Sequence, residues 1–391
     1  MKCDLSKKYK ILYIHIGVRI YRIGIFELLA KKLGVDFFWT EKINVKNYVS
    51  EEIERLLKTT NIQYIQAHEI KNLPVDSFSF DLFKLPFLKY DVYIFTNIVS
   101  VPFLLIAPIV KLFGKKVIVF DELWRYPIEI GKYRLIYPYV KLLSKYCIDS
   151  VVAAGSKAKD FYVSNLKYDP EKIFIAHNTT VDTKYHIRDT QLDKEIKNKL
   201  ENKTSKKKIL FLARVIKIKG LDVLIRAMKN IPDDYDLIVV GDGDFLHYCK
   251  ELVKELSLKH RVHFIGSCFS YESPYYYKYC ELYVLPSRFL NSENTQVESW
   301  GFTINEAMAL EKPVVSTTAV GSAYDLLIDG VTGAIAKEGD SQDLAQKVLY
   351  VLEKNKDNIL GKNARKHLLK TCNYEENLCS YNQAIKRCMY E

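Results

Sequence analysis

Short apolar runs alternate with amphipathic stretches along the first half of the chain. The apolar runs predict β-strands at residues 11–16, 35–39, 62–65, 92–97, 116–120, 150–154 and 173–176. Helical patterns lie between some of them, at 26–33, 51–58 and near 133–146. Strands that alternate with helices form a mostly parallel sheet with helices on both faces. The first half therefore predicts a Rossmann-like domain.

The second half repeats this alternation. Strands are predicted at 209–212, 237–240, 262–266, 282–285 and 313–316, and helices at 221–228, 342–354 and 374–389. Between the halves, residues 186–208 are charged and polar, which indicates a solvated boundary. The predicted fold class is α/β, with two Rossmann-like domains facing each other across a cleft. We place the N-terminal domain at 1–190 and the C-terminal domain at 206–372.

The run at 92–110 has two interpretations. It carries no charge over 19 residues, the length of a membrane-spanning helix. Pro102 and Pro108, however, follow a polar break at Thr96 and Asn97, and another strand pattern begins at residue 116. A strand, a loop and a helix of a βαβ unit fit this pattern better, so we predict that unit, with a membrane span as the alternative.

The net charge of +11 favours binding to an anionic partner. Nucleic acid is the least favoured, because the sequence has neither an RNA-binding signature nor zinc-finger spacing. Phosphorylated substrates and an anionic membrane surface remain as expected partners. The eight cysteines form no C-x-x-C pair and no metal-ligand spacing, and the N-terminus lacks the pattern of a signal peptide. We expect a cytoplasmic protein with free thiols and no bound metal.

Two carboxylates, Glu298 and Glu306, stand on either side of Gly301. Eight residues of unbroken helix span about 12 Å, too far for both acids to touch one atom. We predict that Glu298 lies on a loop and Glu306 near a helix start, where Gly301, Phe302 and Thr303 present free N–H groups to a phosphate. The acids would then bind sugar and ribose hydroxyls. The alternative is two acids favoured by the helix dipole alone.

Arg214 and Lys219 lie five positions apart on a strand-to-helix loop, ahead of Gly220. Dispersed cations and backbone donors suit a diphosphate, although a generic basic loop has the same composition. Glycines also end three of the predicted strands. Gly17 allows a close backbone approach to a ligand, Gly266 could contact a nucleobase, and Gly241 belongs to an incomplete dinucleotide fingerprint.

The order of these motifs is specific although each one is weak. The series Arg214, Lys219-Gly220, Gly241-Asp242-Gly243, Gly266, Glu298-x7-Glu306 and Asp329-Gly330-x-x-Gly333 resembles the retaining nucleotide-sugar glycosyltransferases of family 4, the group 1 enzymes with the GT-B fold. The resemblance is strong over residues 208–350. It implies that Arg214 and Lys219 hold the diphosphate, Glu306 the ribose and Glu298 the transferred sugar. It also implies that the loop at Gly17 closes on the phosphate, and that the last helix, 374–391, packs back on the first domain.

One departure from the family concerns catalysis. Members of the family often carry a histidine after the strand that here ends at Phe120, and this chain has Asp121 and Glu122 there. Asp121 is assigned to catalysis, with Glu122 as the alternative. The resemblance further implies transfer with retention and no cofactor or metal.

The resulting hypothesis is a cytoplasmic hexosyltransferase, peripheral on the inner face of the membrane. It would move a sugar from a UDP- or GDP-sugar to a lipid-linked, polysaccharide or other glycan acceptor. The membrane part rests on a basic, aromatic surface at 111–132 beside the uncharged 102–110 helix. The alternatives are a nucleotide-sugar-binding protein, or a GT-B epimerase without transferase turnover.

Overall fold

The computed structural model describes residues 9–17, 20–40, 62, 64–67, 78–125, 131–180, 187, 189–290 and 298–390. The chain divides into two compact units, one of Met1–Val181 with Cys372–Glu391 and the other of Asp182–Thr371. The division falls earlier than the boundary at 190–206 expected from composition. The polar stretch therefore supplies a helix, Thr190–Glu201, to the second unit.

The first unit is built on a parallel sheet of seven strands. Their order across the sheet is β3-β2-β1-β4-β5-β6-β7. The strands are β1 (Ile11–His15), β2 (Val35–Trp39), β3 (Tyr64–Gln66), β4 (Val92–Thr96), β5 (Lys116–Asp121), β6 (Ser150–Ala153) and β7 (Ile173–Ile175). Successive side chains of β5 enter opposite cores, Val117 and Val119 on one face and Ile118 and Phe120 on the other. Burial on both faces explains why these strands are continuous apolar runs.

Five described helices belong to this unit, together with a 3₁₀ segment at Phe80–Phe87 that Ser79 caps. The helices are α1 (Ile20–Leu33), α2 (Val101–Leu112), α3 (Gly131–Tyr146), α4 (Ser156–Ser164) and the last helix of the chain, α13 (Tyr374–Tyr390). The run at 92–110 thus forms β4 and α2, as the βαβ interpretation predicts. In the part of the chain that the structure describes, no helix is long and apolar enough to cross a membrane. The helix predicted at 51–58 lies outside the described residues.

The last helix packs on the first unit, as the family resemblance implies. The Ser150 hydroxyl donates to the Ala384 carbonyl at 3.0 Å, and the Asn377 amide donates to the His177 carbonyl at 2.7 Å. Tyr381 lies buried against the Phe120 ring. The C-terminal residues therefore complete the core of the N-terminal sheet.

The second unit contains a parallel sheet of six strands in the order β10-β9-β8-β11-β12-β13. The strands are β8 (Lys207–Leu212), β9 (Tyr235–Val240), β10 (Val262–Gly266), β11 (Leu282–Leu285), β12 (Val314–Thr317) and β13 (Gly333–Ala336). The helices are α5 (Thr190–Glu201), α6 (Leu221–Ala227), α7 (Leu246–Glu255), α8 (Ser273–Lys278), α9 (Phe302–Ala309), α10 (Ala323–Leu326), α11 (Ser341–Lys354) and α12 (Ile359–Thr371). Counted along the chain, this is the Rossmann strand order 3-2-1-4-5-6.

The strand order reverses between β8 and β11 in the second unit. In open parallel sheets, ligands bind beyond the carboxyl ends of the strands at such a switch point. The segment after β8 contains Arg214 and Lys219, and the chain after β11 leads to Glu298 and α9. Arg214, Lys219 and Glu298 therefore follow the two strands that flank the switch point, whereas Gly241 and Gly266 lie at the ends of β9 and β10.

Candidate functional site

The loop after β8 is supported from behind by the end of β9. Ala213 donates its N–H to the Val240 carbonyl at 3.2 Å, and Val215 donates to the Asp242 carbonyl at 2.8 Å. A Cβ on Gly241 would lie 1.9 Å from the Ala213 carbonyl oxygen, and φ at Gly241 is +146°. Gly241 is therefore required by the packing of the two loops alone.

The same loop ends against β11. The carbonyl of Pro286 would lie 2.0 Å from a Cβ on Gly220, whose φ is +67°. Arg288 donates its N–H to the Ile218 carbonyl at 2.9 Å. These contacts fix the short turn that carries Lys219, so its ammonium is positioned by backbone packing.

The two cations on this loop have different surroundings. Arg214 is exposed, and its guanidinium makes no hydrogen bond or ion pair with any residue that the structure describes. Lys219 is mostly buried and its ammonium pairs with the Glu298 carboxylate. The structure thus brings two of the predicted donor-binding residues into contact and leaves Arg214 facing solvent.

Glu298 lies on a segment that is pinned to the loop after β12. Glu298 forms an isolated parallel bridge with Val320, and Gly321 donates its N–H to the Glu298 carbonyl at 3.0 Å. Gly301 then turns the chain into α9 with φ +91°. A Cβ at this position would lie 3.0 Å from Val320 Cγ1 and 3.1 Å from Leu285 Cδ2. Conformation and packing therefore both require a glycine here.

The structure places Glu298 outside α9 and Glu306 in its second turn, one turn deeper than a helix-start position. Phe302 and Thr303 form the first two residues of the helix. The Tyr283 hydroxyl donates to Thr303 Oγ1 at 2.6 Å, so that side chain supports the helix start from beneath. The free N–H groups and the positive end of the helix lie next to Glu298 and its partner Lys219.

Glu306 is held in an apolar, tyrosine-rich environment. Burial raises the pKa of its carboxyl to about 7, against hydrogen bonds from Tyr277 and Ser273 that lower it. The Tyr277 hydroxyl donates to Glu306 Oε2 at 3.1 Å, and burial raises the pKa of Tyr277 well above its usual value. These tyrosines were not expected from the sequence. The run Tyr275-Tyr276-Tyr277, entirely buried on α8, was the available signal.

Gly266 ends β10 with φ +91°, and a Cβ there would meet nothing within 4 Å. The residue is exposed, and its carbonyl accepts a hydrogen bond from the Gly241 N–H at 2.8 Å. The space beside this backbone is open to a flat group such as a nucleobase, the contact that the sequence predicts.

In the first unit, the structure buries Asp121, the residue that the sequence analysis assigns to catalysis. Asp121 is 1% exposed and accepts hydrogen bonds from the Tyr162 hydroxyl at 3.0 Å and from the Leu123 N–H at 3.0 Å. As the last residue of β5, Asp121 follows Val117 and Val119 into the core on their face of the sheet. Its carboxylate caps the loop after β5 and does not face a ligand.

The side chain of the next residue, Glu122, reaches solvent instead. Its Oε2 accepts hydrogen bonds from the Arg22 guanidinium at 2.7 Å and from the Asn178 amide at 3.0 Å, and its side chain is 34% exposed. Among the described residues, none bonds its Oε1. Gly17 is buried at the end of β1 and donates its N–H to His15 Nδ1 at 3.2 Å. Residues 18–19, the rest of that loop, lie outside the described residues.

Comparison with known proteins agrees with this geometry. Residues 193–367 match the model of the family "Glycosyl transferases group 1". The match covers most of the second unit. The fold of the chain is that of the GT-B proteins, since HepE of Anabaena, solved in complex with UDP, aligns over 98% of this chain and 100% of its own with a TM-score of 0.76 at 18% identity. A glycosyltransferase from Rickettsia africae aligns over 98% and 99% with a TM-score of 0.74 at 19% identity.

Curated relatives of this chain match over shorter stretches. An uncharacterized glycosyltransferase of Methanocaldococcus jannaschii, MJ1069, is 26% identical over 66% of this chain and 64% of its own length. The GDP-mannose-dependent alpha-(1-6)-phosphatidylinositol monomannoside mannosyltransferase of Mycolicibacterium smegmatis is 29% identical over 34% of this chain and 35% of its own. The chain therefore spans less than two thirds of the length of these relatives.

Proposed function

We propose that this protein is a retaining glycosyltransferase of the hexosyltransferase type, with a UDP- or GDP-sugar as donor. The acceptor would be lipid-linked, a polysaccharide or another glycan. The observation that carries the proposal is the arrangement around the start of α9. Lys219 pairs with Glu298 just before this helix, Glu306 lies in the second turn of the helix, and Arg214 is exposed on the loop that carries Lys219.

Each group has a part in the proposed transfer. The bond between the anomeric carbon and the diphosphate oxygen breaks, and the acceptor oxygen bonds to the same face of that carbon. The acceptor proton leaves with the diphosphate. Arg214, Lys219 and the start of α9 offset the charge that grows on the leaving diphosphate. Glu298 accepts from hydroxyls of the sugar, and Glu306 accepts from those of the ribose. These cations carry the leaving-group charge in the proposal without a metal or other cofactor.

The acceptor class is proposed from the printed names of relatives. Besides the mannosyltransferase named above, an alpha-monoglucosyldiacylglycerol synthase of Streptococcus pneumoniae is 29% identical over 41% of this chain and 34% of its own. Both names describe products built on membrane lipids. A lipid-linked acceptor would place this protein in the cytoplasm, peripheral on the inner face of an anionic membrane, and the net charge of +11 suits that location.

A thermal-shift screen tests the donor directly. The purified protein is heated with UDP, GDP and other nucleoside diphosphates, and then with their sugar conjugates. A ligand present at about a hundred times its Kd stabilises the folded state by about 2.7 kcal/mol, which raises the unfolding midpoint by several degrees. One base should stand out from the others. The proposal fails if no nucleotide or nucleotide sugar raises the midpoint.

A second candidate function is nucleotide-sugar binding, or epimerisation, without transfer. The burial of Asp121 favours it, because the acid at the position of the family's histidine does not reach a ligand. Slow release of free nucleotide from the donor that binds best, together with an extended glycan in the product mixture, would count against this candidate. Binding with an intact or epimerised donor after long incubation would favour it.

A further inference from the structure

The first unit presents an unusual number of large apolar side chains to solvent on three neighbouring elements. They lie on the 3₁₀ segment, on α2 with the residue after it, and on α3. The ten are Phe80, Phe83, Phe87, Leu105, Leu112, Phe113, Leu135, Tyr139, Leu142 and Tyr146. We call this set the exposed apolar face. Soluble monomers scatter such residues singly, and a continuous patch marks an interaction surface.

Contacts between the elements make the face continuous. The rings of Phe87 and Phe113 lie 5.1 Å apart and join the 3₁₀ segment to the end of α2. The Tyr139 hydroxyl donates to the Leu104 carbonyl at 3.0 Å and joins α3 to α2. Leu112 and Leu135 are 85% and 83% exposed, so neither side chain packs in the core.

Helix α3 has the geometry of a helix that lies in a bilayer surface. Leu135, Tyr139, Leu142 and Tyr146 fall within about 60° of its circumference, at about 100° per residue. Val140 and Leu143, on an adjacent sector, are buried in the core. The helix therefore has two apolar sectors, and only one of them packs against the core.

Cations flank the unused sector. Arg134, Lys141 and Lys145 are exposed on the other side of the apolar stripe, and the sequence of α3 contains no acidic residue. Two acids near these elements, Asp81 and Asp149, are paired with Lys84 and Lys111. Apolar and aromatic side chains beside cations match the boundary between acyl chains and anionic headgroups.

We propose that the exposed apolar face docks on an anionic lipid bilayer, with α3 lying in the plane of the interface. A second copy of this chain is a poorer occupant, since two such faces would bring the cations of both α3 helices together. This proposal rests on the peripheral membrane association in the proposed function, and it names the surface that would contact the membrane. It concerns a surface on the first unit, so vesicle binding can be measured without a donor or an acceptor.

Flotation with vesicles tests the docking. Wild-type protein is mixed with vesicles of equimolar phosphatidylcholine and phosphatidylglycerol, or of phosphatidylcholine alone, at low salt and near 1 M salt. We expect it to float with the anionic vesicles at low salt, and much less with neutral vesicles or where the Debye length falls to about 3 Å. Failure to float with anionic vesicles at low salt would overturn the proposal.

Two pairs of variants locate the surface. Leu135→Ser with Leu142→Ser should lower the vesicle affinity about tenfold or more, whereas Ile359→Ser with Leu369→Ser, also exposed but on α12, should not. Lys141→Glu with Lys145→Glu should have a similar effect, and Lys229→Glu with Lys366→Glu, exposed in the second unit, should not. Equal flotation of the α3 variants and their controls would overturn the proposal.

Two further readouts keep the explanations apart. Circular dichroism and the thermal shift given by the best nucleotide should be the same in all four variants and the wild type, because none of the substitutions touches the donor site. If the wild type instead forms dimers that the α3 variants lose, without vesicle binding, a second copy is the occupant and the proposal is wrong. If no nucleotide raises the unfolding midpoint of the wild type, the donor proposal is wrong and the docking proposal is unaffected.

Discussion

Each unit of this protein holds an ion pair at the carboxyl ends of its strands, and the two pairs differ in construction. In the first unit, the Arg22 guanidinium is buried, lies 4.3 Å from the Phe120 ring and binds Glu122, whose side chain is 34% exposed. In the second unit, Lys219 and Glu298 are 14% and 16% exposed. The first pair orients a carboxylate that reaches solvent. The second pair covers a cation that the proposed function assigns to the diphosphate.

The difference follows from the chemistry of the two cations. A guanidinium has fixed planar donors and packs on an aromatic ring, so it holds Glu122 in one orientation. An ammonium is a compact point charge that exchanges partners without a geometric requirement. A diphosphate beside the exposed Arg214 can therefore take over Lys219 and leave Glu298 to bind hydroxyls. We expect substitutions in the second pair to affect donor affinity and substitutions in the first to affect turnover.

The largest effect is expected from Lys219→Ala. The substitution removes a cation for the diphosphate and keeps the Glu298 carboxylate at the site, so the donor affinity should fall about a hundredfold or more. Lys217→Ala, exposed on the same turn, is the matched control and should keep the wild-type affinity. Titration calorimetry with the best donor measures both. Equal affinities in the two variants would contradict the proposed exchange of partners.

Arg214→Ala should lower the donor affinity ten- to a hundredfold and leave the thermal unfolding midpoint unchanged. The side chain is exposed and bonds no described residue, so the fold does not depend on it. Arg226→Ala, another exposed arginine of the second unit, serves as the control for charge alone. A matching loss in both variants would mean that net charge, and not a specific contact, sets the affinity.

In the first unit, substitutions of the adjacent acids Asp121 and Glu122 should separate an effect on stability from an effect on turnover. Asp121→Asn should lower the free energy of unfolding by about 1–3 kcal/mol, because a buried carboxylate loses part of its hydrogen-bonding capacity. Nucleotide release at saturating donor should stay within about twofold of wild type. Glu122→Gln should instead lower that release about tenfold or more, with unchanged donor affinity. The reverse pattern would restore Asp121 as the catalytic acid.

The smallest effect concerns pH. Burial raises the pKa of Glu306 to about 7, so much of this carboxyl is protonated in the free protein at neutral pH. A carboxylate accepts hydrogen bonds from two ribose hydroxyls better than a protonated carboxyl does. Donor affinity should therefore rise a few-fold as pH increases through about 7 and level off above it. Calorimetry at several pH values should show this slope in wild type and none in Glu306→Gln.

The stability contribution of Glu306 should change with pH in the opposite direction to the donor affinity. A raised pKa means that the folded state binds a proton that the unfolded state has lost, so this group favours folding at low pH. Its contribution is full below the usual glutamate range, near 4.5, and is lost as pH rises to about 7. Glu306→Gln should stabilise the protein relative to wild type above pH 7 and much less at pH 5.

Alternation of apolar runs was sufficient to predict most strands, because a parallel sheet buried on both faces needs continuous apolar segments. The residues proposed for the second unit's site were also chosen from sequence, since glycines and cations mark the ends of β8, β9 and β10, and their roles stay predictions. The pairing of Lys219 with Glu298 was not, because 79 positions separate them. The same holds for Arg22 and Glu122, separated by 100.

The choice between Asp121 and Glu122 could have been made from the strand period. Side chains of a strand alternate between faces, so an acid two residues after Val119 enters the same core as Val119. The predicted strand ended at Phe120, one residue before the observed end of β5. That single residue placed Asp121 in a loop instead of in the buried strand, and its role in catalysis stays a prediction.

The position of the bound donor tests the central claim most directly. Amide hydrogen exchange is followed with and without the best nucleotide sugar, at a concentration well above its Kd. The account predicts slower exchange in the loop of Arg214 to Gly220, at Gly266 and through the first turn of α9, with little change in α11 and α13. Protection confined to the first unit, or spread evenly over the second, would contradict a donor site at the start of α9.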